Sequence, residues 1–201
     1  MKKRGFTLVE LLIIVAIAGI LAMAISSLAV LSIRTYSEQS EVSNLQTENR
    51  TTINRIKNEV LQGSEFLPTY DSRTVTINAA NNSNTLIIKI PSIDNTESWI
   101  IDPITKEPKI DYFIYWTDSG DLYKKVVPDQ LSTRNAEYGI ISRNTEISCE
   151  YTIEGLESIK AGEESKISGA DRVRITLKSS KTLRNKSLEA TNTTEANLRN
   201  R

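Results

Sequence analysis

The sequence predicts an α+β fold, in which one long N-terminal helix packs on a C-terminal antiparallel β-sheet domain. Three observations carry that expectation. Residues 6–33 hold only Thr7, Glu10 and three serines as polar side chains. Residues 34–62 are polar but keep a helical stripe with no proline in it. From Ser64 onward the pattern changes to short alternating segments separated by Asn, Asp, Gly and Pro.

The apolar run comes first. At about 1.5 Å per helical residue it can cross a hydrocarbon core of about 30 Å. Lys2, Lys3 and Arg4 stand immediately before it, and positive residues stay on the cytoplasmic side. The expectation is a single pass through the cytoplasmic (inner) membrane with the N-terminus inside. The body after Arg34 then lies on the periplasmic or extracellular side. Glu10 is the anomaly, since a carboxylate within a membrane helix costs a few kcal/mol and needs a partner.

After the span, Tyr36, Val42, Leu45, Ile53, Ile56 and Val60 recur mostly at helical spacing, and Gly63 offers a stop. This predicts one helix from Phe6 to Gln62, its second half packed on the domain. "RTVTINAA", "NTLIIKIP" and "ESWII" read as strands. "IDYFIYWTDSGDLYKKVV" is the best hairpin signal, with Ile110, Tyr112, Ile114 and Trp116 alternating and the turn within Thr117 to Asp121. "EYGIIS" and "EISCEYTIE" follow. In "DRVRITLKS", Val173, Ile175 and Leu177 face inward, with Arg172, Arg174, Thr176 and Lys178 outward. Residues 63–178 therefore form the β-rich domain. Residues 179–201 read as a flexible polar tail.

Composition excludes several chemistries. Lys+Arg and Asp+Glu both number 25, so net charge gives no argument for nucleic acid. From Asp171 on, eight basic residues face three acidic ones, but no aromatic accompanies them for base stacking. There is no His, the usual general base and commonest metal ligand. The single Cys149 reads as a core or strand residue. No nucleophile elbow, phosphate-binding glycine loop or metal-ligand spacing is present. Asp118 and Asp121 are too few for calcium, which takes six to eight oxygens, and read as turn residues. The expectation is a non-enzyme with no cofactor, no metal and no nucleic-acid partner.

The first thirty residues admit three readings. A secretory signal peptide would be cut after Ala24, at Ala22-Met23-Ala24. An uncleaved signal anchor would explain length and orientation. Either would deliver an exported binding or enzymatic domain, and neither accounts for Glu10 or for Gly5-Phe6. "KKRGFTLVELLIIVAIAGIL", the third reading, resembles the N-terminus of the type IV pilin superfamily, pilins and type II secretion pseudopilins included. The resemblance implies a leader of residues 1–5, cut after Gly5 by prepilin peptidase, and methylation of the new N-terminal Phe6. It matches Glu10 to the family's glutamate at the fifth mature position. It implies that Glu10 accepts the Phe6 amine of a neighbouring subunit and so sets register during assembly. Partners implied are other pilins or pseudopilins through the helix of residues 6–33 and 34–62, prepilin peptidase and the inner-membrane assembly platform. The resemblance also implies a pilin-like α+β architecture. Many major pilins have a kinking proline where this chain has Ala24 to Leu28. "NRTTINRIKNEVLQGSEF" with the later hairpin is similar to J-type minor pseudopilins and W-type minor pilins. That implies a minor subunit acting in assembly initiation at the tip.

Overall fold

The computed structural model describes residues 7–72, 75–78, 84–153, 158–159 and 164–199. The chain divides into two compact units, Met1–Ser43 and Asn44–Arg201. A single helix, α1, runs from Leu8 to Leu61.

Within the first unit the apolar side chains of α1 are exposed from Leu8 at 79% through Ile33 at 65%, and Val42 is half-buried. The helix is long and apolar enough to cross a membrane. Within the second unit Leu45, Asn49, Ile53, Ile56 and Val60 are buried, one face of a 3.6-residue period. Tyr36 of the expected stripe is 75% exposed, and the buried face begins only at Leu45. At the C-terminus the Gln62 and Gly63 amides donate to Glu59 O and Val60 O, tightening the last turn. A Cβ on Gly63 would lie 2.6 Å from Ile88 Cγ2 and 2.9 Å from Leu198 Cδ2. Close approach of neighbouring side chains requires the glycine here.

The strands are β1 (Glu65–Phe66), β2 (Thr69–Ser72), β3 (Val75–Asn78), β4 (Thr85–Pro91) and β5 (Ile110–Asp118). After them come β6 (Asp121–Val127), β7 (Glu137–Ser142), β8 (Thr145–Thr152), β9 (Arg172–Leu183) and β10 (Lys186–Asn197), with a 3-10 turn at Glu164–Gly169 before β9. They form a five-stranded sheet in the order β1-β4-β5-β6-β7, a three-stranded sheet β10-β9-β8, and the β2-β3 hairpin. All pairings are antiparallel. The expected architecture, a long helix packed on antiparallel sheets, is what the chain adopts.

The core lies where three layers meet. α1 supplies Ile53, Ile56 and Val60, the five-stranded sheet Phe66, Leu86, Ile88, Phe113, Tyr115 and Leu122, and the three-stranded sheet Ile147, Cys149, Val173, Ile175 and Leu177. The inward set of β9 is as expected, with all three side chains fully buried. Strand β5 is buried on both faces. The alternation of Ile110, Tyr112, Ile114 and Trp116 marks its outer side, while Phe113 and Tyr115 face the main core. Its turn to β6 is Ser119-Gly120 with φ of 53° and 84°, a two-residue hairpin turn with both residues left-handed, which a glycine accommodates at no steric cost. Asp118 and Asp121 close the pair as its last paired residues.

Two expectations need correction. The expected tail of residues 179–201 is strand over most of its described part: β9 runs on to Leu183 and pairs with β10, Lys186–Asn197, along its whole length. Leu188, Ala190 and Ala196 of β10 are buried, so small residues supply an inward face that a search for large apolar side chains passes over. "ESWII" forms isolated bridges, Ile93 to Trp99 and Ile101 to Pro108, in place of a strand. Lys2, Lys3, Arg4, Gly5 and Phe6, the expected leader and processing site, lie outside the described residues.

Candidate functional site: the start of the helix

The described part of the expected site is Thr7 to Glu10. Thr7 precedes the first helical residue, and Glu10 stands three positions later. The Thr7 N–H and the Thr7 hydroxyl both donate to Glu10 Oε2 at 2.9 Å, and the Glu10 N–H donates to Thr7 Oγ1 at 3.3 Å. This is a reciprocal capping box, in which orphan amides of the first turn are satisfied by each other's side chains. The carboxylate also sits at the positive end of the helix dipole. Only Oε2 is engaged, and Oε1 accepts no hydrogen bond among the described residues. Around it Leu8, Val9, Leu11, Leu12 and Ile13 are exposed, so one free carboxylate oxygen stands in an apolar surface. The cap was legible as Thr-x-x-Glu before an apolar run, a role the sequence reading left unassigned to Thr7.

The other polar clusters lie inside the second unit, and sequence reasoning missed all three. In the first, Lys124 on β6 is 2% exposed. Its Nζ lies 2.8 Å from Glu59 Oε1 and 3.0 Å from Glu137 Oε2. Arg55 donates to both oxygens of Glu137 at 3.1 Å, and the Tyr115 hydroxyl donates to Glu59 Oε2. Lys124 Nζ also stands 5.0 Å from the Phe113 ring centre, a cation over an aromatic face. Burial raises the Glu59 carboxyl above its usual range, in spite of the favourable Lys124 and Arg55 charges.

In the second, Asp111 on β5 is fully buried. It accepts from Ser92 Oγ at 2.6 Å, Asp129 N–H at 2.8 Å, Ser132 Oγ at 2.8 Å and Arg134 Nη1 at 2.7 Å. Burial works to raise its carboxyl, but these donors outweigh burial and hold it below the ordinary value. The third runs through Ser142, Thr145 and Ser179 to Asn49 Oδ1, and Asn49 Nδ2 donates to Ala190 O at 3.0 Å. Each cluster matches its charges or hydrogen bonds internally, so each ties elements together. Cys149 is buried, and burial pushes its thiol up, away from reactivity. Among the described residues, no group of three or more His, Cys, Asp or Glu side chains is gathered to hold a metal.

Comparison with known families then bears on the helix start. Residues 1–26 match the model of the prokaryotic N-terminal methylation motif. Over these 26 residues the chain is similar to proteins that carry that motif. The match takes in Gly5, Phe6, Thr7 and Glu10 and runs into the apolar part of α1. Pilin-like proteins are structural subunits, processed by prepilin peptidase and assembled with other pilins. A solved type IV-like pilin from Thermus thermophilus is similar over 77% of this chain and 96% of its own, at 8% identity and a TM-score of 0.45. No curated protein matches the chain.

Proposed function

We propose that this chain is a minor subunit of a type II secretion pseudopilus or a type IV pilus-like filament, acting in assembly initiation at the tip. The observation that carries the reading is the methylation motif running directly into an exposed apolar helix whose first turn holds a half-satisfied carboxylate. Lys2, Lys3 and Arg4 hold the leader in the cytoplasm, α1 crosses the inner membrane once, and the 44–201 unit stands on the far side.

The chemistry follows from the cap. Cutting between Gly5 and Phe6 removes none of the groups in the capping box, because the Thr7 N–H belongs to the mature chain. Thr7 keeps Glu10 Oε2, and Oε1 keeps its acceptor capacity open. The new Phe6 amine, methylated and cationic, needs an anion once the helix leaves water. Within one helix it lies four residues before Glu10. Between packed subunits, the amine of one chain meets Oε1 of the next, and the pair offsets part of the desolvation each charge suffers alone. Methylation retains the charge, so the pairing survives it.

Intact mass of the mature protein tests the processing. Loss of residues 1–5 with gain of one methyl group supports the reading, and loss through Ala24 ends it, leaving an exported soluble domain. Filament incorporation tests the contact: Glu10→Leu is expected to abolish incorporation while the protein still inserts in the membrane. Wild-type incorporation by that variant would remove Glu10 from assembly.

A further inference from the structure

The connection from β4 to β5, residues 92–109, is closed tightly at its start. Asp94 Oδ1 accepts the Thr96 N–H at 2.7 Å and the Ser98 N–H at 3.1 Å, and the Asp94 N–H donates to Ser98 O at 2.9 Å. Ile93 and Trp99 bridge across that turn, and Glu97 within it is left-handed, at φ 61°. Thr133 ties the turn to the segment before β7, its N–H and hydroxyl both donating to Ile93 O. All this order leaves a large ring uncovered, since Trp99 is 50% exposed.

Trp99, Ile93 and Glu97 line a cleft of about 390 Å³, together with Pro91, Arg134 and Gln62 just past the end of α1. Small-ligand sites span about 300–1,000 Å³, so the cleft suits a small occupant. Arg134 is held in place: its Nη1 donates to Asp111 Oδ2 at 2.7 Å and to Pro91 O at 2.6 Å. Its Nε and Nη2 make no hydrogen bond among the described residues, and neither does the carboxylate of the exposed Glu97. The cleft therefore combines unengaged donors, an unengaged acceptor and an indole.

Charge decides what class of molecule fits. An anion on Arg134 would also meet Asp111, the buried carboxylate that this guanidinium already neutralises. A cation on Glu97 would share the cleft with Arg134, and one ring makes no aromatic cage for an ammonium group. A neutral molecule whose groups both donate and accept meets neither objection, and hydroxyls do both.

We propose that this cleft binds a neutral saccharide, with a gluco-configured pyranose ring lying on Trp99. Such a ring carries its hydroxyls at the rim and C–H groups on its faces. The C–H face meets the negative face of the indole, while rim hydroxyls donate to Glu97 and accept from Arg134. Turn and guanidinium are fixed beforehand, so little ordering opposes binding. The cleft lies wholly within the 44–201 unit, so it stands or falls independently of processing at Gly5-Phe6.

Saturation-transfer NMR from the full chain to cellobiose or N,N′-diacetylchitobiose tests it, in a polyoxyethylene detergent whose headgroup is not a sugar. Transfer to the ring C–H protons is expected to saturate in the millimolar range. Trp99→Ala should weaken binding about tenfold, the upper range of one aromatic contact. Glu97→Gln, which keeps the shape and loses the charge, should weaken it about fivefold. Both variants should keep the wild-type melting temperature. Absence of saturable transfer to either sugar overturns the proposal, as does undiminished binding in both variants. Displacement of the sugar by equimolar choline or leucine overturns it too, and would mean a cation or amino-acid site.

Discussion

Glu10 and Glu59 stand on the same helix and are provided for in opposite ways. Glu59 is largely buried and finds Lys124, Arg55 and the Tyr115 hydroxyl within its own chain. Glu10 is exposed in an apolar surface, and its own chain engages one oxygen through Thr7 and leaves the other open. Burying a charge without a partner costs several kcal/mol. Where the fold itself supplies the partner, the carboxylate serves folding. Where the fold supplies half of one, the carboxylate is the one proposed to meet a neighbouring subunit. The contrast separates the segment of α1 that specifies the domain from the segment for which an assembly role is proposed.

The comparison is tested most severely at Lys124. Lys124→Met leaves Glu59 with its burial and without its closest cation, and should cost about 3–5 kcal/mol of stability. Urea denaturation of the full chain in detergent measures it. A loss below about 1 kcal/mol would mean Glu59 is as indifferent to its partner as a surface group. Replacing both members, Glu59→Leu with Lys124→Met, should restore most of the loss, since the apolar pair needs no desolvation.

Asn49→Ala comes next, expected at about 1–3 kcal/mol because it strands the Ser179 hydroxyl and the Ala190 carbonyl in the interior. The same denaturation midpoint reads it. Neither variant should alter incorporation beyond what lost stability explains, whereas Glu10→Leu should leave the midpoint of the 44–201 unit alone.

Acid separates the buried carboxylates. Asp111 has a folded pKa held below its ordinary 3.8. The stability it contributes is complete above 3.8 and is lost as the pH falls through the lower folded value. Glu59 runs the other way. Its raised folded pKa means the folded state takes up that proton first, which favours folding on the acid side of that value. Melting temperatures across the acid range should therefore fall less steeply in Asp111→Asn than in wild type, and more steeply in Glu59→Gln.

The smallest effect belongs to Thr7→Ala. Loss of the hydroxyl should cost about 1 kcal/mol at the helix start and leave Glu10 Oε2 with the residue-7 backbone N–H alone. Faster amide exchange at residues 8–11 with incorporation reduced but present is the expected pattern. Unchanged exchange there would mean the cap does not hold the first turn.

What could be read from the residues divides along the same line. The motif at Gly5, Phe6 and Glu10, the helix to its last turn, the Ser119-Gly120 hairpin and the inward face of β9 follow local rules of spacing and turn chemistry. Asn49, Lys124 and Asp111 do not, because their burial is decided by partners 130, 65 and 19 residues away in sequence. Polarity alone sends such residues to the surface. β10 was missed for a related reason, since its inward residues are mostly alanines and its partner strand does the specifying. The proposed intersubunit half of the Glu10 site cannot be read from one chain.

Cys149 has a practical consequence. It is the one cysteine of the sequence, sits 4% exposed between the sheets and has a thiol that burial keeps protonated. The domain thus reaches its fold without an internal disulfide. A thiol so placed reacts only when the sheets part, so its rate of alkylation is a built-in clock for the opening of the core.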